Sequence, residues 1–462
     1  MSPSLHDYLD PRSAPAEPPP RSQMGARTRE LHDALDHRAR LSGVASLHPD
    51  GPSVQRDLLG SAQVIAWQEG KAERLFLGES CWADLPHLYA RYGTAIGHTL
   101  HAALRELEGA RAAIAVECGM QAVALTFDVL MGPRAHAVTM RQVYNKSRAY
   151  LERLAFRVGG SVTIVDDGDL LGLAAAVRPD TALIFCETFT NPLTRAQDPE
   201  ALVRLVREAR SLAPELRLVV DDTIATPWSI RRPLLASGVD VVVAAGTKAL
   251  GGQDRDLFGV IATDDVQFAN QVMDLAAMRG GLLDWRRAEA IALDLPRARE
   301  DFLRRCEGAA RIAAFLAEHP AIEAIFHPSR PDHVDAAIVH ERYVRGGSLI
   351  SFRIRGLDEA GARHFADVLA MSGVVRYALS FDGLATKVNH HKTVSEYFTP
   401  EEALVRGGID RLIRLAVGVE DPEDLIAALN WALHHHPQVS GEAVLAWQRE
   451  RAAELGLAGQ GR

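Results

Sequence analysis

The chain of 462 residues has few cysteines, no block of basic residues and no long apolar run. Its four cysteines are far apart and form no CxxC pair, which excludes a disulfide scaffold and a cysteine-based zinc site and is typical of a reducing cytoplasm. No apolar stretch reaches the roughly 18 to 20 residues of a membrane-spanning helix. A net charge of −9 without a basic block argues against nucleic acid or an anionic membrane surface as a partner. The remaining composition, 47% hydrophobic and 24% charged, is that of a soluble globular protein.

The beginning of the chain differs from the rest. Six of the 23 prolines lie within the first 25 residues, among serine, alanine and charged residues. Such a segment cannot bury enough apolar surface to offset the entropy lost on ordering, so residues 1–25 are predicted to be a disordered tail.

From residue 26 onwards, apolar strand patterns alternate with helical patterns. Residues 181–186, 216–220 and 239–245 are short, mostly apolar runs, and helical stretches separate them. Strands that are apolar throughout predict a parallel sheet covered on both faces. A second α/β segment has strand patterns at residues 348–353 and 412–417, which places a domain boundary near residue 300.

Three of these predicted strands end in polar residues suited to one cofactor. Glu187 follows the first, Asp221 the second, and Lys248 the third. Burial lowers the pKa of a lysine and makes it a Schiff-base nucleophile, and a neighbouring aspartate can keep the ring nitrogen of pyridoxal phosphate protonated. Upstream, Gly119 at a helix start would expose N–H groups to a phosphate, and Tyr144 could stack on an aromatic ring. Together they predict a pyridoxal-phosphate site.

Further motifs stand in order along the chain, and with them the sequence resembles the Cys/Met-metabolism (transsulfuration) family of pyridoxal-phosphate enzymes. That family includes cystathionine γ-synthase, cystathionine γ-lyase, methionine γ-lyase and the homoserine sulfhydrylases. The resemblance extends from about residue 89 to residue 434. The motifs are Tyr89-x-Arg91, Gly119-Met120, Tyr144, Glu187-x-x-x-Asn191-Pro192-Leu193, Val220-Asp221-Asp222-Thr223, Gly246-Thr247-Lys248, Ser380, and the stretch around Arg414.

The resemblance implies a role for each matching residue. Lys248 would form the Schiff base and, with Tyr144, carry out proton transfer. Cofactor binding would involve Tyr89 and Arg91 from a neighbouring subunit, and Gly119, Met120, Tyr144, Asn191, Asp221, Thr223, Thr247 and Lys248. Ser380 and Arg414 would bind the substrate carboxylate, because a guanidinium can hold it with two parallel hydrogen bonds. No metal ligand is predicted.

The resemblance also implies the fold and the assembly. The expected fold is α/β, aspartate-aminotransferase-like (fold type I), with a mostly parallel seven-stranded sheet and a smaller α/β C-terminal domain. The expected parts are a tail (1–25), a dimer-contacting segment (26–88), a large cofactor domain (89–300), a small domain (301–440) and a terminal helix or tail (441–462). A cytoplasmic homodimer or homotetramer is expected.

The implied activity is β- or γ-elimination, or γ-replacement, on an amino acid such as cystathionine, methionine or an O-acylhomoserine. Two alternatives remain open: another reaction on the same fold, such as that of an aminotransferase, a decarboxylase or a specialised lyase, or a cofactor-binding protein without transsulfuration activity. Departures from the family pattern leave the substrate open. They are Cys118 and Ala245 in place of serines, Asn145-Lys146 in place of glycines, the altered segment after Gly281, Phe381-Asp382 after Ser380, and the unfamiliar residues 387–391.

Two other features carry expectations of their own. Lys146 could attract an acidic group on the substrate or be an ordinary solvated lysine, and His390-His391 lies close in sequence to the predicted substrate pocket. The run His434-His435-His436 is predicted to lie at the surface rather than to bind a metal, because adjacent residues on a helix point in different directions.

Overall fold

The computed structural model describes residues 20–41, 94–396 and 399–457. The expectations for residues 1–19, and for residues 42–88 of the N-terminal segment, lie outside these ranges. The described helices are α1 (Ala26–Leu41), α2 (Ala95–Glu108), α3 (Gly119–Leu130), α4 (Asn145–Arg157), α5 (Leu170–Ala176), α6 (Pro199–Ala209), α7 (Leu234–Ser237), α8 (Val266–Arg279), α9 (Trp285–Glu318), α10 (Ala336–Arg342), α11 (Glu359–Ala370), α12 (His391–Ser395), α13 (Glu401–Gly407), α14 (Pro422–His435) and α15 (Gly441–Glu454). Arg21–Gln23 and His436–Gln438 form short 3-10 turns.

Seven of the strands form the large sheet, in the order β1-β7-β6-β5-β4-β2-β3. Strand β7 is antiparallel to both of its neighbours, and the other pairs are parallel. The predicted mostly parallel, seven-stranded sheet is therefore confirmed. The strands are β1 (Ala112–Val116), β2 (His136–Met140), β3 (Ser161–Val165), β4 (Thr181–Glu187), β5 (Arg217–Asp221), β6 (Val241–Ala244) and β7 (Gly259–Thr263).

Helix α2 shows how local sequence sets an element of this fold. Leu100 and Leu104, spaced by four residues, are fully buried, as expected of the apolar face of a helix. The hydroxyl oxygen of Thr94 caps the start by accepting from the Gly97 N–H at 3.2 Å. Gly109 ends the helix in the left-handed conformation (φ 63°), which glycine adopts without a steric penalty.

The smaller sheet has five strands in the order β10-β11-β12-β9-β8 and is antiparallel except between β10 and β11. Helix α9 runs through residue 300, where a domain boundary was predicted. The apolar core of the large sheet includes Leu295, and that of the smaller sheet includes Ala309, so this single helix contributes to both. The strands are β8 (Ile322–Phe326), β9 (Leu349–Ile354), β10 (Arg376–Tyr377), β11 (Lys387–His390) and β12 (Ile413–Ala416).

The histidine run at the end of α14 is only partly exposed, so the prediction that it lies at the surface is wrong for His436. His436 is 8% exposed, and His434 and His435 are half-buried. The Nδ1 atom of each donates to the carbonyl four residues earlier, at 2.8 to 3.1 Å. The burial of these side chains results from tertiary packing, because α14 packs between α9 and α11. Across the described ranges, no group of three or more His, Cys, Asp or Glu side chains could hold a metal ion.

In residues 20–41, 94–396 and 399–457, no helix combines the length and the apolarity needed to cross a bilayer.

Candidate active site

The carboxyl ends of three neighbouring strands of the large sheet meet at one edge. Glu187 ends β4 and Asp221 ends β5, and the two are paired across the strands. Lys248 follows β6. All three line a cavity of about 400 Å³. The same cavity is lined by every predicted site residue that the structure describes: Gly119, Met120, Tyr144, Asn191, Asp221, Thr223, Thr247, Lys248, Ser380 and Arg414. Tyr89 and Arg91 lie outside the described residues.

One end of the cavity is formed by the start of helix α3. The helix begins at Gly119, and Cys118 precedes it without a capping hydrogen bond from its side chain. A Cβ atom on Gly119 would lie 2.5 Å from the Cβ of Ala245, so the helix can approach the end of β6 only with glycine here. The N–H groups of a first helical turn attract an anion. This end is therefore suited to a phosphate.

Thr247 lies at the same end but is already engaged. Its hydroxyl donates to the carbonyl of Phe258 at 3.2 Å and accepts from the Phe258 N–H at 3.0 Å. These bonds hold the chain beside Lys248 against the start of β7.

Two buried carboxyl groups form the floor of the cavity. Asp221 accepts from the backbone N–H of Thr223 at 2.9 Å and from its hydroxyl group. Burial raises the pKa of Asp221 to about 6, although both bonds to Thr223 oppose that change. Burial also raises the pKa of Glu187, and the nearby Asp221 adds to the effect. A cationic N–H group facing Asp221 would stabilise its ionised form.

Glu187 is a cavity residue to which the sequence assigned no role. One of its oxygens, Oε1, accepts from the backbone N–H of Tyr144 at 2.5 Å and so fixes the start of α4. Tyr144 is 41% exposed and stands in the cavity wall. The position of Glu187 at the end of an apolar strand was the available signal, since the sequence placed it there together with Asp221.

Lys248 presents an amine with reduced basicity. Its Nζ atom donates to the hydroxyl of Ser380 and lies 4.6 Å from the ring centre of Phe381. Burial is the main cause that lowers its pKa to about 8, and the positive charges of Lys387 and Arg414 act in the same direction. Because a neutral amine is the nucleophilic form, this environment favours Schiff-base chemistry near neutral pH.

Arg414 comes from the smaller sheet, in strand β12, and is 2% exposed. Its guanidinium donates to Asn191 Oδ1 and to the carbonyl of Leu379, both at 3.1 Å. Burial lowers its pKa to about 10, so it stays charged at neutral pH. The ring centre of Phe381 lies 5.3 Å from the guanidinium carbon, so one aromatic ring contacts both cations of the site.

Two sequence features proposed for the substrate do not line the cavity. His391 is 1% exposed and makes a 3.3 Å contact with Glu396, and His390 bonds to Thr393 and to the carbonyl of Asp410. Lys146 is half-buried on α4 outside the lining. Instead, α12 contributes Val394 and Ser395, and the side-chain amide of Asn145 donates to the Ser395 carbonyl.

The donor set fits pyridoxal phosphate on structural grounds. A helix start at Gly119 suits the phosphate, the buried Asp221 suits a protonated ring nitrogen, and the amine of Lys248 suits the aldehyde. Fold and site therefore define an α/β enzyme of the pyridoxal-phosphate-dependent class.

The particular family follows from comparison with known proteins. Residues 77–434 match the family model of Cys/Met metabolism PLP-dependent enzymes, so the chain belongs to this family and its cofactor is pyridoxal phosphate. L-methionine γ-lyase of Fusobacterium nucleatum subsp. nucleatum is 31% identical over 350 residues, which are 75% of this chain and 86% of the relative. Cystathionine γ-synthase 1, chloroplastic, of Arabidopsis thaliana is 30% identical over 75% of this chain and 60% of its own length. The crystal structure of cystathionine γ-lyase from Lactobacillus plantarum in complex with L-serine superposes with a TM-score of 0.69 at 27% identity, over 74% of this chain and 87% of that one.

Proposed function

We propose that this enzyme is a carbon–sulfur lyase or a γ-synthase of sulfur amino-acid metabolism. It would catalyse β- or γ-elimination, or γ-replacement, on an amino acid such as cystathionine, methionine or an O-acylhomoserine. The observation that carries the proposal is the presence of Lys248, Asp221 and Arg414 in the wall of one cavity. These are the groups needed to hold the cofactor and to orient an α-amino acid above it.

Arg414 binds the substrate carboxylate in this proposal. Its bonds to Asn191 and Leu379 fix the plane of the guanidinium before the substrate arrives, so little side-chain freedom is lost on binding. Because Arg414 and Lys248 both contact the ring of Phe381, a carboxylate on Arg414 would place the α-carbon near the amine of Lys248.

Lys248 is the group that moves the α-proton. When bound, pyridoxal phosphate supplies the electron sink that makes this proton removable. With its pKa lowered to about 8, the free amine can accept a proton near neutral pH and return it later. The hydroxyl of Tyr144, also in the cavity wall, is proposed as a second proton carrier.

The side-chain end of the substrate would meet an apolar surface. Phe189, Ile224, Leu379, Phe381 and Val394 all line the cavity. Such a surface suits a thioether chain and excludes water from the departing group. Loss of that group would give elimination, and entry of a thiol in its place would give γ-replacement.

A substrate panel tests this function. The purified yellow protein is mixed with cysteine, homocysteine, cystathionine, methionine and O-acylated homoserines, with and without an added thiol, and ammonia, oxo acid and thioether products are measured. Ammonia and an oxo acid formed without an amino acceptor, or a new thioether, support the proposal. Turnover that requires a second oxo acid would indicate an aminotransferase, and an unchanged spectrum across the panel would contradict catalysis. Replacing Lys248 by alanine should abolish both turnover and the yellow absorbance band of the lysine-linked cofactor.

We also propose a homodimer or homotetramer in the cytoplasm as the working unit. Support comes from the resemblance of Tyr89 and Arg91 to the family residues that reach the phosphate of a neighbouring subunit, and from the scattered cysteines.

A further inference from the structure

A second buried amine lies close to Lys248 and has no assigned role. Lys387 is the first residue of strand β11 and is 8% exposed. It is one of only five lysines in the chain. Its Nζ atom donates to Asp254 Oδ1 and to the backbone carbonyl of Asp382. Because burial of an unpaired ammonium group is costly, these two partners are what allow a lysine at this position.

The two hydrogen-bond partners of Lys387 belong to two turns that lie close to Lys248. Asp254 lies in the turn that follows Lys248 in sequence, and Asp382 follows Ser380 and Phe381, which contact Lys248 in space. Both aspartates have positive φ angles, 53° and 60°. A Cβ atom on Gly383 would lie 1.9 Å from Asp254 Oδ2, so the turns pack directly against each other.

A fully buried arginine holds the same two turns through their backbones. Arg305 of α9 donates to the carbonyl of Ala249 at 3.2 Å and to that of Gly383 at 3.4 Å, and it lies 3.6 Å from the Asp382 carboxylate. The hydroxyl of Ser348 also donates to that carboxylate. Arg305 thus connects the two turns through hydrogen bonds to their backbone carbonyls, whereas Lys387 adds an ion pair with the carboxylate of Asp254.

The charges around Lys248 therefore come in opposing pairs. Among the described residues, the charged groups that act most on its amine are Asp382, Lys387, Arg414 and Asp254. The two carboxylates favour the protonated amine and the two cations favour the neutral amine. Removal of either member of the Lys387–Asp254 pair would leave the charge of the other member acting on the Lys248 amine without its opposing charge.

We propose that Lys387 is a positioning residue of this enzyme: with Asp254 it holds the Ser380–Phe381 turn against Lys248, and its positive charge keeps the Lys248 amine available in its neutral form. The inference rests on the proposed function only in taking Lys248 as the reacting amine.

The test measures the titration of Lys248 in the cofactor-free protein. Competitive labelling with acetic anhydride at a series of pH values, followed by mass spectrometry of the peptide that contains Lys248, gives the pKa of this amine. In Lys387→Met the pKa should rise by about one pH unit, because a positive neighbour is lost and two carboxylates remain. In Asp254→Asn it should fall by about as much, and the double variant should return close to the unmodified protein.

The opposite signs separate a charge effect from loosening of the turns. Lys387→Met and Asp254→Asn both break the same ion pair. If only packing mattered, both variants would therefore shift the pKa of Lys248 in the same direction, and that result would overturn the proposal. So does an unmoved titration in folded variants. Lys387→Arg, which keeps the charge, should leave the titration in place. Lys392→Met is the matched control, because this lysine pairs with Glu359 and Glu401 instead.

Two features keep the test decisive. If Lys387→Met fails to fold, Asp254→Asn still reports the direction in which the pKa of Lys248 shifts. We expect this variant to fold, because the Asp254 side chain is 32% exposed. The measurement uses no amino-acid substrate, so failure of the transsulfuration proposal would show only in the substrate panel, and failure of this one only in the Lys248 titration.

Discussion

Glu108 is a buried carboxyl group that the fold keeps protonated. It is the last residue of α2 and is 4% exposed, and its Oε1 atom has no hydrogen-bond partner among the residues that the structure describes. Burial raises its pKa from 4.5 to about 8. In the unfolded chain the same group is in water and titrates near its ordinary value. Replacing it by glutamine, a neutral side chain of the same shape, should therefore stabilise the protein at neutral and alkaline pH.

The sign and the size follow from the two pKa values. Below about pH 4.5 both states hold the proton and Glu108 contributes no pH dependence. Between 4.5 and about 8 the folded state keeps a proton that the unfolded state has lost. In this window the free energy of unfolding falls by about 1.4 kcal/mol per pH unit. From pH 5 to pH 8 this group therefore costs the wild type about 4 kcal/mol, a cost that Glu108→Gln removes.

Urea unfolding of the cofactor-free protein at pH 5, 6, 7 and 8 measures this difference. The free energy of unfolding of Glu108→Gln minus that of the wild type should grow steadily with pH. Glu106→Gln, which replaces an exposed glutamate on the same helix, is the matched control. A difference for Glu108→Gln that stays constant from pH 5 to pH 8 would refute the reasoning, since Glu108 would then be ionised throughout.

Two further substitutions test the cavity. Gly119→Ala places a Cβ atom 2.5 Å from the Cβ of Ala245, so the start of α3 must move away from the phosphate position. We expect cofactor affinity, measured by fluorescence titration, to fall at least about tenfold, whereas Gly132→Ala, with no atom within 4 Å, should bind normally. Equal affinity in both would contradict the phosphate assignment. Arg414→Lys keeps the positive charge but loses the paired hydrogen-bond geometry of the guanidinium, which Asn191 supports. The KM for the amino acid should therefore rise about 10- to 100-fold, with a smaller change in kcat. An unchanged KM would show that Arg414 does not bind the carboxylate.

Much of the catalytic edge could be predicted because its signals are local. An apolar run ending in Asp221 predicts a buried strand and, by the geometry of parallel sheets, a polar group at the ligand-binding edge. Gly119 was likewise placed by its position at a helix start, whereas Tyr144 was identified as a residue that could stack on the cofactor ring. The histidines at the end of α14 could not be placed in this way. Helical spacing gives the direction of each side chain relative to its own axis, but it does not say which neighbouring helix covers that side.

The sequence by itself indicated a parallel sheet, the order of the strand-end residues and the cofactor, since these follow from side-chain type, from apolar runs and from helical spacing. The seven strands of the large sheet were implied by the family resemblance. Only the tertiary structure decided that Arg414 meets Asn191, that Glu187 supports Tyr144, and that Lys387 reaches Asp254. Each of these contacts joins residues far apart in the chain. The Arg414 and Lys387 contacts are set by how the two sheets pack around α9, and the Glu187 contact is set by the pairing of β2 with β4. No local pattern encodes either arrangement.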